Sequence, residues 1–168
     1  APNNLFFAGR RGTIVHYNGA NWTKIESGTS ETIQDIWGTG SNIYCVASNT
    51  DLIAETSVLK VNTTGVEKIT NEGLPWMLSS IWFNKVIEGG YIAGDGVYKY
   101  KNGKWAEETS FNYYAWDKIR GQANNDIVVS GSGGHIAHFN GIDWKDYRNK
   151  PLEGFYGRLF SVDIKGNT

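Results

Sequence analysis

One cysteine, three prolines and one methionine are all that this 168-residue chain holds of those residue types. Cys45 alone cannot close an internal disulfide, and it stands in the alternating run Ile43-Tyr44-Cys45-Val46-Ala47. A thiol there reads as a small buried hydrophobe rather than a nucleophile or a metal ligand. No run approaches 18 consecutive apolar residues, so no membrane-spanning helix is expected. Neither sign of charge dominates: 16 Lys plus Arg against 17 Asp plus Glu leave a net charge of -1. Without a basic field to hold a phosphate backbone, nucleic acid is excluded as a partner.

Helical periodicity is also missing, residues 52–57 offering at most one turn inside an enlarged loop. His135 and His138 are three apart in a strand, hence on opposite faces, and His16 has no partner at ligand spacing. Gly131-Ser132-Gly133-Gly134 joins two strands and opens no helix, so it cradles no phosphate. No cofactor and no metal is therefore expected. The chain opens on Ala1-Pro2-Asn3 without a Met, as a processed protein or a piece of a longer one would.

What is abundant is glycine (21) and aromatic residues, with 7 Trp and 9 Tyr. They recur in register. Tyr17-Asn18-Gly19-Ala20-Asn21-Trp22 aligns with Tyr100-Lys101-Asn102-Gly103-Lys104-Trp105 and with Phe139-Asn140-Gly141-Ile142-Asp143-Trp144, and Val61-Asn62-Thr63-Thr64-Gly65-Val66 is a degenerate fourth copy. A unit of roughly 40 residues, each made of four short strands parted by Gly, Asn or Asp, is the repeat of a β-propeller blade. The Asn-Gly pairs are expected to supply positive φ at a hairpin turn. Trp22, Trp105 and Trp144, just inside the outermost strand, are expected to cover the flank between adjacent blades.

The fold class expected is thus all-β, a β-propeller of four blades of four-stranded antiparallel sheet. Its single domain spans 1–168, with blade breaks near 28–31, 71–76, 109–113 and 150–157. The first recognisable strand, Leu5 to Gly9, matches the second strand of the other units, and the last segment, Leu159 to Gly166, matches the missing first one. Pairing of Phe160 to Ile164 with Leu5 to Gly9 would close the ring through the two termini. The alternative is a swapped multi-chain ring, a homo-oligomer made by strand exchange.

Two groups of residues are candidates for binding, and no catalytic set is indicated. The innermost strands align Ile36, Ile81, Ile119 and Ile164, and the next column is Trp37, Trp82, Arg120 and Lys165. Two indoles and two cations converging near the axis would stack a sugar or planar ligand and hold an anion. The enlarged loop after Ser48 offers Asn49, Asp51 and Glu55 to a partner.

The turn Tyr17-Asn18-Gly19-Ala20-Asn21-Trp22-Thr23 resembles the blade motif of bacterial secreted and periplasmic β-propeller repeat proteins, and it is distantly similar to the Asp-box turns of sialidase-type propellers. Here the Asp-x-Gly element is absent and Arg10, Arg11, Arg120, Arg148 and Arg158 are dispersed, unlike a sialidase arginine triad. The resemblance implies the fold and a secreted, periplasmic or cell-surface address. The function expected is a non-catalytic binding or scaffolding propeller that recognises a glycan or a protein partner through its loops or an axial mouth. The alternative is a carbohydrate-active, hydrolase-like propeller.

Overall fold

The computed structural model describes residues 3–49, 55–110, 115–147 and 154–166. Its strands fall into four antiparallel sheets, with no α-helix among the described residues. The first holds β1 (Leu5–Ala8), β2 (Thr13–Tyr17) and β3 (Trp22–Glu26). The second holds β4 (Ile33–Thr39), β5 (Asn42–Ala47), β6 (Ser57–Val61) and β7 (Val66–Lys68). The third holds β8 (Leu78–Trp82), β9 (Tyr91–Gly94), β10 (Gly96–Lys101) and β11 (Lys104–Glu107). The fourth holds β12 (Trp116–Ala123), β13 (Asp126–Gly131), β14 (Ile136–Phe139) and β15 (Trp144–Asp146). Each is a meander in which sequence neighbours pair, the blade unit of a β-propeller.

The repeated turns work through asparagine as much as glycine. Asn102-Gly103 is a two-residue turn with both φ positive (54° and 78°), closing the Lys101–Lys104 pair. In the first and fourth sheets only the glycine is left-handed, at 97° in both Gly19 and Gly141. There the asparagine side chain makes the turn: Asn18 Oδ1 accepts from the amides of Ala20 and Asn21, and Asn140 Oδ1 from those of Ile142 and Asp143. Asn62 does the same for Thr64 and Gly65, so the degenerate copy keeps the feature that matters.

Apolar residues gather into three cores, each between consecutive sheets. Ile14 and Ile25 meet Ile33, Cys45 and Leu59 between the first and second. Tyr44, Val46 and Val58 meet Ile81, Ile92 and Trp105 between the second and third. Trp82, Tyr91 and Val97 meet Ile119, Val129 and Trp144 between the third and fourth. Closing four blades into one ring requires a fourth such core, and none joins the fourth sheet to the first among the described residues. The four sheets form an open arc.

The expected pairing of Phe160 to Ile164 with Leu5 to Gly9 is accordingly absent. No backbone hydrogen bond links these segments among the described residues, residues 155–166 carry no regular secondary structure, and Phe160 is exposed. The physical reason lies in how the chain leaves a blade. Gly9 O accepts from Ile33 N (2.9 Å) where the chain passes from the first sheet to the inner strand of the second. Gly131, the repeat equivalent of Gly9, accepts in the same way from Leu159 N (3.0 Å). The fork of Arg158 on Asp117 Oδ1 (2.6 Å) holds the tail on this course. The tail therefore steps forward along the arc, onto the following side of the fourth sheet, instead of turning back to the first. As the alignment of the repeats requires, the first sheet has three strands and lacks its innermost one.

Candidate functional site

The inner strands β4, β8 and β12 share a local irregularity. Each has a register shift at the same repeat position, between Ile33 and Asp35, Leu78 and Ser80, and Trp116 and Lys118. A β-bulge bends a strand and re-aims the residues after it. The residues so aimed are Asp35, Ser80 and Lys118, one from each blade, and they meet.

Asp35 is the hub. Its Oδ2 accepts from Ser80 Oγ (2.6 Å), the Ile81 amide (3.1 Å) and Arg120 Nη1 (2.9 Å). Its Oδ1 accepts from Lys118 Nζ (2.7 Å) and Arg120 Nη2 (3.0 Å), so the guanidinium grips the carboxylate with a two-pronged fork. Ser80 Oγ in turn accepts from the Ile119 amide (3.2 Å) and Arg120 Nη1 (3.2 Å). Arg120 also donates to the carbonyls of Ile81 and Ile119 and lies 4.9 Å over the Trp37 ring. The cluster ties the second, third and fourth blades together at their inner edges.

Burial alone would raise the pKa of Asp35. The Arg120 hydrogen bonds and charge, with those of Lys118 and Ser80, outweigh it and hold the carboxyl below its ordinary value of 3.8. A carboxylate that is ionised and accepts five hydrogen bonds is unlike the elevated-pKa acid or free nucleophile of a glycosidase. One carboxylate against two cations leaves the cluster with a single excess positive charge. The side chains of Arg120 and Lys118 are 13% and 21% exposed, so that charge is felt at the surface.

Of the column Trp37, Trp82, Arg120 and Lys165, the structure unites only Trp37 and Arg120. The Trp37 indole donates to Phe83 O (2.8 Å) and wedges between the second and third blades. Trp82 is buried between the third and fourth blades, its ring against Gly121, where a Cβ would sit 2.7 Å from Cζ2. It presents no free face to a ligand. Lys165 is exposed in the tail, next to Gly166, which approaches Gln122. In the enlarged loop, Asn49 Oδ1 accepts from the Thr32 amide (3.2 Å), and Glu55 pairs with Lys68 (2.9 Å) on an exposed surface. Asp51 lies outside the described residues.

Asp35, Ser80 and Lys118 were not singled out from sequence. Their signal was present two positions before Trp37: acid, hydroxyl and base occupy the position preceding the repeated isoleucine, where Asp163 is the fourth. Alternation puts that column on the same face as Trp37, Trp82 and Arg120, two residues on, and the bulge just before it sets the direction in which both columns point.

No family model matches the chain, and no curated protein matches it. Among solved structures it is similar to YCF48 from Cyanidioschyzon merolae, with 14% identity and a TM-score of 0.70 over 98% of this chain and 59% of that one. It is also similar to YCF48 bound to D1 peptide, with 13% identity and a TM-score of 0.63 over 88% of this chain and 51% of that one. The chain thus spans between 51% and 59% of the length of these neighbours. The comparisons support a β-propeller repeat protein and do not extend to the secreted bacterial or Asp-box likeness. At such identities the likeness shows the fold, and by fold this chain is a β-propeller.

Proposed function

We propose that this chain is a non-catalytic propeller that holds a segment of a protein partner at the inner edges of its blades. One observation carries the reading: a structure of the same fold, matched over 88% of this chain, has a peptide bound to it. The Asp35, Lys118 and Arg120 cluster supplies the chemistry for an acidic segment, since its excess positive charge sits on a partly exposed lysine. A sugar-binding role has less support, because Trp82 is enclosed and one face of Trp37 is taken by Arg120. An extracytoplasmic place of work remains part of the proposal and rests on the turn motif.

The test is fluorescence anisotropy with three labelled dodecapeptides of matched apolar content, one acidic, one neutral and one basic. The acidic peptide is expected to bind best, and Lys118→Met to weaken it by about fivefold, the worth of one partly screened ion pair. Equal binding of all three, or no effect of Lys118→Met, would refute the charge-based reading.

A further inference from the structure

Three Asn-Gly pairs stand at equivalent turns, at 18–19, 102–103 and 140–141, so one dipeptide is met in three settings. Asparagine before glycine is the pair most prone to lose ammonia without an enzyme, because a residue with no side chain leaves its amide nitrogen unshielded. The reaction closes a ring. The glycine nitrogen releases its proton and attacks Asn Cγ, the bond from Cγ to Nδ2 breaks, and ammonia departs carrying a proton in exchange for the one released. Water then opens the resulting succinimide at one of its two carbonyls and leaves aspartate or isoaspartate. The fold decides how freely each pair can react, since the side chain and the peptide unit after it must first swing toward each other.

At Asn18 and Asn140 the side chain is held. Asn18 Oδ1 accepts from the amides of Ala20 (3.0 Å) and Asn21 (2.8 Å), and Asn140 Oδ1 from those of Ile142 (2.8 Å) and Asp143 (3.0 Å), while Asn140 Nδ2 donates to Asp143 Oδ1 (2.6 Å). Their glycines are closely approached as well: a Cβ on Gly19 would stand 2.8 Å from Asn3 Cβ, and one on Gly141 2.6 Å from Asn125 Cβ. Asn102-Gly103 differs on both counts. The Asn102 side chain makes no hydrogen bond among the described residues, only its backbone amide being tied, to Glu88 Oε1 (3.0 Å), and open space surrounds Gly103. Of the three asparagines, Asn102 is also the one held at a positive φ, which costs an L-residue energy.

We propose that Asn102-Gly103 is a site of spontaneous deamidation, and that the fold protects the identical pairs at 18–19 and 140–141. The consequence reaches a core. An isoaspartate carries the main chain through its side-chain carbon, so it lengthens a two-residue turn that needs both φ values positive. That turn sets the Lys101–Lys104 and Tyr100–Trp105 pairs of β10 and β11, and Trp105 is the ring sealed between the second and third blades. Either product also places a carboxylate beside Glu88, whose own carboxylate holds the amide of residue 102. Ageing at this turn therefore loosens the outer edge of the third blade first.

Incubation of the full chain at pH 8, followed by peptide mass spectrometry with electron-transfer fragmentation to tell aspartate from isoaspartate, reads all three pairs in one sample. Residue 102 should convert about tenfold faster than residues 18 and 140, the worth of two side-chain hydrogen bonds that need not be broken. In urea the three rates should draw together, because each pair is then solvated alike. Conversion at 18 or 140 as fast as at 102 in the folded chain overturns the proposal, and so does the same ranking kept in urea, which would assign it to the flanking residues. Asn102→Gly keeps a residue suited to positive φ and has no amide to lose. Its urea midpoint should stay constant through the incubation while that of the parent falls, and equal declines would refute the link from this turn to the Trp105 core.

Discussion

Replacing Asp35 by Asn keeps the shape of the side chain and removes its charge. The carboxylate accepts from Ser80, Ile81, Lys118 and both terminal nitrogens of Arg120, so it holds three blades together at one group. Removing one partner of a buried ion cluster costs roughly 3 to 5 kcal/mol, because the remaining charges stay desolvated and unpaired. Here Arg120 and Lys118 retain some solvent contact, which points to the low end, about 3 kcal/mol. With a urea m-value of about 2 kcal/mol/M for a chain of this size, the midpoint should fall by roughly 1.5 M. Acid provides an independent check. The folded pKa of Asp35 lies below its ordinary 3.8, so its contribution is present above about pH 4 and is lost as the pH falls through the depressed folded value. The parent chain should therefore lose stability over that acid window, and Asp35→Asn should lack that part of the loss. A midpoint shift under about 0.3 M, or identical acid profiles for the two chains, would refute the assignment of Asp35 as the hub.

Two further predictions concern the cores. Trp105→Ala removes an indole that is 2% exposed between the second and third blades, and urea unfolding should show a loss of about 3 to 5 kcal/mol; a loss under about 1 kcal/mol would mean that the wedge is not sealed by that ring. The Cys45 thiol is fully buried, and burial, with the negative charge of Asp35 adding to it, pushes its pKa up to about 12. It should not react with a disulfide reagent at pH 8 until urea unfolds the chain, and rapid reaction of the native protein would contradict the packing of the first inter-blade core.

Much of the architecture was legible because a propeller writes each structural requirement several times. The turn asparagines, the isoleucine of each inner strand and the tryptophans of the outer strands align by inspection; Trp105 and Trp144 seal inter-blade cores as expected, whereas Trp22 is 60% exposed and covers no inter-blade flank. Closure was misread because aligning 159–166 with an inner strand says which kind of strand it is, not which blade it joins. What decides that is the backbone link from Gly131 O to Leu159 N and the fork of Arg158 on Asp117. Those contacts are three-dimensional consequences of the way an inner strand departs from its predecessor, and no residue pattern announces them.

The polar cluster centres two positions before the column Trp37, Trp82, Arg120 and Lys165 that stood out in the sequence, and geometry explains the difference. In a regular strand, Asp35 and Trp37 share a face and Ile36 takes the other, and this holds here: Ile36 packs toward the first blade, while Asp35 and Trp37 reach the third through Ser80 and Phe83. A radial arrangement has no single inward face, however. Side chains that leave an inner strand toward the following blade diverge with distance from the axis, so a long indole such as Trp82 ends in the wedge between blades, and short or charged groups remain at the narrow edge. That is why the large aromatic column became filler and the small polar column became the cluster. The exception proves consistent with the rule: Arg120 stands in the aromatic column, but no core follows its sheet among the described residues, and its guanidinium folds back over Trp37 onto Asp35. An aromatic at position 120 would lack that anchor, which ties the identity of this one residue to the carboxylate of Asp35.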